Sequence, residues 1–204
     1  MQEIKTVLFD LGGVLVDWDP RHLYRKIFTD GTEMEYFLGE VCHPHWNFLH
    51  DKAALEFENS IPDLQHRHPK YHDQIAAWRD RWPEMLAGSI GGTVRVLEDL
   101  KHQDKVRLYA LTNWSHQTWP HALEKFSFLQ NFEGILVSGQ EKLAKPDPRI
   151  FELTANRFGF DPKTTLFIDD SEKNIQQARE MGFATHWFRE PTKLRKDLMD
   201  RGIL

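Results

Sequence analysis

The sequence holds one cysteine, Cys42, in 204 residues, so neither an internal disulfide nor a cysteine-based metal cluster can form. This usage suits a reducing compartment. Long apolar runs are missing too. No stretch approaches the roughly 20 uninterrupted apolar residues that a membrane-spanning helix needs. The opening Met1-Gln2-Glu3-Ile4-Lys5 has neither the basic start nor the apolar segment of a signal peptide. An excess of positive charge is also lacking: 26 Lys and Arg against 31 Asp and Glu give a formal net charge of -5. A polyanion-binding protein normally carries a basic excess or stripe, so nucleic acid is not expected as a partner. Repeats, heptads and low-complexity tracts are absent. The expectation is a soluble, cytoplasmic protein with neither nucleic acid nor membrane as partner, its oligomeric state left open. With 40% hydrophobic and 28% charged side chains, the chain has enough apolar material for a sizeable core.

Two textures alternate in what is present. Thr6-Val7-Leu8-Phe9 is a short apolar run that stops at Asp10. Runs of this kind, without polar alternation, read as buried strands of a parallel sheet. Others stand at Val106 to Leu111, Ile135 to Val137, Thr165 to Ile168 and Thr185 to Phe188. Between them lie segments with helical spacing. Val94, Leu97 and Leu100 share one face, as do Ile150, Leu153 and Phe158, with Pro148 allowed near that helix's start. Ile175, Ala178 and Met181 mark a further helix that Gly182 closes. Alternation of this sort predicts an α/β fold, a doubly wound parallel sheet with helices on both faces.

From about Arg21 to Leu86 there is no strand-like run. Aromatic, histidine and charged residues interleave at helical spacing: Leu23, Ile27 and Phe28; then Tyr36, Phe37 and Val41; then Ile75, Trp78 and Trp82, ending near Pro83. This reads as a small helical insert, with the glycine-rich Ala87-Gly88-Ser89-Ile90-Gly91-Gly92 as its return linker or hinge. The expected division is an α/β core of residues 1–18 and 88–204 and a helical unit of residues 19–87. Within that unit, His43-x-His45 lacks a third ligand at helical spacing, so its histidines read as ordinary side chains. Trp46, Trp78 and Trp82 read as its core.

Four patches stand at or just after the predicted strand ends, which share one crevice in a doubly wound sheet. They are Phe9-Asp10-Leu11-Gly12-Gly13-Val14-Leu15, Leu111-Thr112-Asn113-Trp114, Lys145-Pro146-Asp147-Pro148 and Phe167-Ile168-Asp169-Asp170. Asp10, Asp169 and Asp170 bring three negative charges together and repel unless a cation joins them. Hard carboxylate oxygens without sulfur favour Mg²⁺, which keeps coordination sites for phosphate and water. Lys145 adds a positive charge, and the hydroxyl and amide groups of Thr112 and Asn113 suit a phosphate oxygen. One of the three aspartates can serve as a nucleophile. The rival reading for Asp169-Asp170 is a helix N-cap, and the sequence does not say which of the two would bind metal directly.

These four patches, in this order, resemble the motifs of the haloacid dehalogenase-like hydrolase superfamily, and the resemblance extends over nearly the whole chain, including a helical cap after the first motif. It implies that Asp10 attacks phosphorus and that Mg²⁺ is held by Asp10, the Gly12 carbonyl, Asp169 and Asp170. It further implies that Thr112, the amide of Asn113 and Lys145 hold the phosphoryl oxygens. There is one departure. Phosphatases of this superfamily usually carry a second aspartate two positions after the nucleophile as general acid and base, and here Gly12 stands there. Three outcomes are open: a substitute such as Asp17, Asp19 or a cap histidine; a substrate with a good leaving group; or a crippled enzyme. The glycine resembles the branch that includes sugar-1-phosphate phosphatases, whose hemiacetal oxygen leaves easily. The leading expectation is a Mg²⁺-dependent phosphatase for a small phosphorylated metabolite, acting through an aspartyl-phosphate. The alternatives are a 2-haloacid dehalogenase, which uses the same aspartate without metal, and a phosphometabolite-binding protein that has lost turnover.

Overall fold

The computed structural model describes residues 3–204. Its strands are β1 (Thr6–Phe9), β2 (Val16–Trp18), β3 (Leu86–Ser89), β4 (Arg107–Thr112), β5 (Gly134–Val137), β6 (Thr165–Asp169) and β7 (Ala184–Trp187). Five of them form one parallel sheet in the order β5-β4-β1-β6-β7. All five apolar runs of the sequence are these five strands, shifted by a residue or less at their ends.

The sheet is buried on both sides because residues on its strands alternate between two apolar layers. Val7 and Phe9 of β1 join one layer with Leu97, Leu100, Leu194 and Leu198 from the helices Gly91–Gln103 and Pro191–Asp200. Leu8, between them, joins the other layer with Ile150, Phe151, Ile175 and Ala178 from the helices Pro148–Phe158 and Glu172–Glu180. Gly182 closes the last of these helices' turns at φ +89°, as the sequence pattern predicts.

The crossovers leave β1 in opposite directions, to β4 on one side and β6 on the other, so the order reverses at β1. A crevice opens at the carboxyl ends of the strands at such a reversal. Register fixes what meets there. Phe9 is level with Ala110 and with Ile168, so Asp10 comes level with Leu111 and Asp169. The Asp10 N–H extends the ladder by donating to the Ile168 carbonyl at 2.8 Å.

The segment between β2 and β3 is helical: Arg21–Tyr24, Gly31–Tyr36 running into a wide turn over Phe37–Val41, Pro44–Asp51, Phe57–Arg67 and His72–Asp80. Tyr24, Phe37, Trp46 and Trp78 pack together at its centre, with Tyr24 and Phe37 ring centroids 4.9 Å apart and Trp46 and Trp78 5.4 Å apart. The same apolar layer continues into the sheet's core through Leu15, Met85 and Leu86.

Two expectations are corrected. The stretch Ala87 to Gly92 is not a free linker: Leu86–Ser89 is a strand paired antiparallel with Val16–Trp18, and Gly91 and Gly92 already belong to the next helix. Pairing along only three or four residues overrides the weak strand preference of Ala, Gly and Ser. The helix expected to carry Ile75, Trp78 and Trp82 ends at Asp80, and Trp82–Met85 forms a separate 3₁₀ turn, so Trp82 is not on the face of Ile75 and Trp78. No helix among the described residues is long and apolar enough to cross a membrane.

Candidate active site

Oxygens of Asp10, Asp169 and Asp170 lie within 4.8 Å of one another at the carboxyl ends of β1 and β6. Lys145 completes the cluster from the loop ahead of the helix Pro148–Phe158. Its Nζ stands 2.9 Å from Asp10 Oδ1 and 2.7 Å from Asp169 Oδ2, and the side chain is 1% exposed. Three segments far apart in the chain thus converge, and Lys145 joins Asp10 to Asp169 within hydrogen-bonding range.

The three carboxylates differ in what already occupies them. Asp169 is wholly buried and saturated: Oδ1 accepts the Ser171 N–H at 2.8 Å, Asn174 Nδ2 reaches both oxygens at 3.0 Å, and Lys145 holds Oδ2. Asp10 Oδ1 accepts the Leu11 N–H at 2.7 Å as well as Lys145, which leaves Oδ2 without a donor among the described residues. Asp170 is exposed, and its carboxylate takes no hydrogen bond from another described residue; its backbone carbonyl accepts the Trp187 indole N–H at 2.9 Å.

Burial is the main force on the Asp10 carboxyl. Together with the neighbouring Asp169 and Asp170 charges it outweighs Lys145 and pushes the group up to about 7. Asp170, although open to solvent on its outer side, loses part of its hydration to the crevice walls, which pushes its carboxyl up, and the Asp169 charge adds to this. Burial works to lower Lys145, but the Asp10 and Asp169 charges more than offset it and hold the ammonium above its ordinary value. Three acids and one base leave a formal excess of two negative charges in a desolvated crevice. The clustered donors fit a small hard cation: carboxylate oxygens of Asp10 and Asp170, with no sulfur among them.

Gly13 makes this approach possible. It sits at φ +71°, and a Cβ there would stand 2.3 Å from Asp170 Oδ2. Gly13→Ala is therefore expected to displace Asp170 and to cost about 1–2 kcal/mol for the left-handed backbone. Thermal melts and Mg²⁺ titration check this; an unchanged melting temperature and unchanged Mg²⁺ affinity would count against it. Gly12 is different, with no atom within 4 Å of its Cβ position.

Thr112 ends β4, buried beside β1. Asn113, one residue on, spends its side chain on the Lys145 loop: Nδ2 donates to the Lys145 carbonyl and Oδ1 accepts the Lys145 N–H, both at 2.9 Å. This reciprocal pair aims Lys145. Asn113 also lines a cavity of about 70 Å³ with Gly12, Trp18, Asn47, Asp51, Trp82 and Trp114. The cavity lies between the end of the sheet and the helical segment. Trp114 thus walls the crevice, while Trp119 packs edge-on behind it with ring centroids 5.6 Å apart.

The other candidate acids go elsewhere. Asp17 is half exposed and pairs with His22 at 2.9 Å, and Asp19 accepts the Arg21 N–H at 2.9 Å. Neither lines the cavity. His43 caps its own helix through the His45 N–H at 2.9 Å, which fits the reading of that pair as ordinary. Sequence reasoning passed over Asn174, although its place five residues after Asp169, one turn into the next helix, was a usable signal. It also passed over Ser138 and Asp51, which the sequence does not mark.

The family model for haloacid dehalogenase-like hydrolases matches residues 4–182. The chain belongs to that family. It is 26% identical over 190 residues to a D-ribitol-5-phosphate phosphatase of Bacteroides thetaiotaomicron, covering 89% of this chain and 90% of that one. It is 32% identical over 212 residues to the N-acylneuraminate-9-phosphatase of Mus musculus, covering 92% and 83%. Among solved structures, a family enzyme from Bacteroides thetaiotaomicron in a magnesium complex superposes with a TM-score of 0.68 at 28% identity, covering 92% and 94%. An L-2-haloacid dehalogenase superposes with a TM-score of 0.76 at 17% identity, a likeness of fold alone. The parallel sheet of this hydrolase, with its flanking helices, is thus the family's architecture.

Proposed function

We propose that this hydrolase is a Mg²⁺-dependent phosphatase of a small phosphorylated metabolite. The observation that carries the reading is the cluster of three carboxylates around Lys145, which keeps an excess negative charge unless a divalent cation is present. A dehalogenase needs no such cation. The relatives named as phosphatases, and a neighbour solved with magnesium and inorganic phosphate, support the same choice.

In this reading Asp10 Oδ2, the oxygen free of donors, attacks phosphorus. Asp10, the Gly12 carbonyl and Asp170 offer direct metal ligands. Asp169, already saturated by Lys145, Ser171 and Asn174, orients the cluster from behind. Mg²⁺, when bound, supplies charge neutralisation and polarises the phosphoryl oxygens. Lys145 holds Asp10 in place and faces the phosphoryl group, while Thr112 and the main-chain N–H of Asn113 bind its oxygens. Catalysis is then positioning and charge stabilisation. The helices between β2 and β3 act as the cap (residues 19–87) over the core of residues 1–18 and 88–204, and the cavity beneath them takes the leaving group.

A panel of alkyl, anomeric and aryl phosphates, assayed with Mg²⁺ and with excess chelator, tests this. Phosphate release from at least one monoester, lost on chelation and restored by Mg²⁺, is expected. Chelator-insensitive halide release from a 2-haloacid, with no phosphate release from any monoester, would overturn it.

A further inference from the structure

Gly12 leaves no side chain to move a proton, and the cavity next to it holds one. Asp51 is the last residue of the helix Pro44–Asp51 and the one acid among the residues lining that cavity. Resting on the phosphatase reading above, we propose that Asp51 protonates the leaving oxygen and then activates the water that frees Asp10.

Three observations place it there. The side chain is held in position, since Asn47 Nδ2 donates to Asp51 Oδ2 at 3.0 Å from one helical turn earlier. The backbone is held too: the Asp51 carbonyl accepts the Ser138 hydroxyl, and the same Ser138 Oγ accepts the Trp114 N–H at 2.8 Å. Ser138 follows β5, so the tip of this cap helix is tied directly to the loop at the sheet's carboxyl end. Lastly, the walls are Trp18, Trp82 and Trp114, which strip water from the carboxyl. Burial pushes its pKa up to about 8, with the Asp10 charge adding and the Ser115 backbone opposing, so the group keeps its proton at neutral pH. The rivals lack this position. Asp17 and Asp19 are committed to His22 and Arg21 outside the cavity, and His50 is bonded to Ser60 at 3.0 Å and pushed down to about 4 by burial.

The step balances. Asp10 Oδ2 forms the bond to phosphorus, the bond from phosphorus to the leaving oxygen breaks with its electron pair on oxygen, and the Asp51 proton makes the alcohol. In the second half a water oxygen bonds to phosphorus, its proton returns to the Asp51 carboxylate, and the bond from phosphorus to Asp10 breaks to free phosphate.

The test compares Asp51→Asn with wild type on ethyl phosphate, glycerol 3-phosphate and ribitol 5-phosphate, and on p-nitrophenyl phosphate, whose leaving group needs no proton. On the best alkyl ester, kcat/KM is expected to fall by roughly 10²–10⁴-fold, the usual worth of general acid–base catalysis. On the aryl ester the fall in kcat/KM, which reads the steps up to the aspartyl-phosphate, should be at least about tenfold smaller, because that leaving group needs no proton. Asn keeps shape and polarity, and a surviving aryl kcat/KM together with an unchanged thermal melt reports an intact fold. The double variant Gly12→Asp with Asp51→Asn should recover most of the alkyl activity, since a Cβ at position 12 meets nothing within 4 Å. Equal losses on both ester classes, or no loss on the alkyl esters, would overturn the role of Asp51 and leave the phosphatase reading standing. A wild type inert to every ester would overturn both.

Discussion

Asp10→Asn is expected to reduce phosphate release by more than about 10⁴-fold while the protein remains folded, because it removes the attacking oxygen and none of the surrounding packing. The fold has reason to tolerate it. The Asp10 carboxyl is held up to about 7, chiefly by burial, so its charged form is disfavoured in the native state. A raised carboxyl pKa penalises stability increasingly as pH climbs from the unfolded value toward the folded one. Asn carries no such penalty and can still accept the Leu11 N–H. At pH 8 without metal the variant should therefore melt no lower than wild type. Kinetics and thermal melts check this, and retained turnover would remove Asp10 from its role.

Lys145→Met should have the largest effect on stability. Met matches the length of the aliphatic stem and deletes the one ammonium facing Asp10 and Asp169. Breaking a buried ion pair from one side leaves uncompensated charge and typically costs about 3–5 kcal/mol. Urea denaturation in metal-free buffer at pH 8 should show a loss in that range. Saturating Mg²⁺ should recover part of it, roughly 2.7 kcal/mol at a hundred times its Kd. A loss below about 1 kcal/mol in metal-free buffer would mean that the cluster is already relieved by other groups.

Both predictions draw on residues that the sequence makes legible. Asp10, Lys145 and Asp169 each follow an apolar run or a proline-marked helix start, and a doubly wound sheet collects such ends in one place whatever their separation. The five parallel strands are legible for the same reason, since burial on both faces demands unbroken apolar runs. The β2–β3 ribbon is not: Val16-Asp17-Trp18 and Leu86-Ala87-Gly88-Ser89 are too short for alternation to show, and each is a strand only because the other lies alongside it. The difference in bonding between Asp169 and Asp170 is equally silent in sequence. It comes from Asn174, Ser171 and Lys145 saturating one of two adjacent acids, while Gly13 opens space for the other. Asp51 lies furthest from legibility, an ordinary acid at a helix end until the fold brings it to the cavity that Gly12 also lines.

The central claim is that a covalent bond forms between Asp10 and phosphorus. The most direct measurement is a single turnover with the best monoester, quenched in acid, reduced with borohydride and read by peptide mass spectrometry. Phosphate is expected on the peptide carrying Asp10, with residue 10 converted to homoserine after reduction. Turnover with no modification at Asp10, or with phosphate on a different residue, would contradict it.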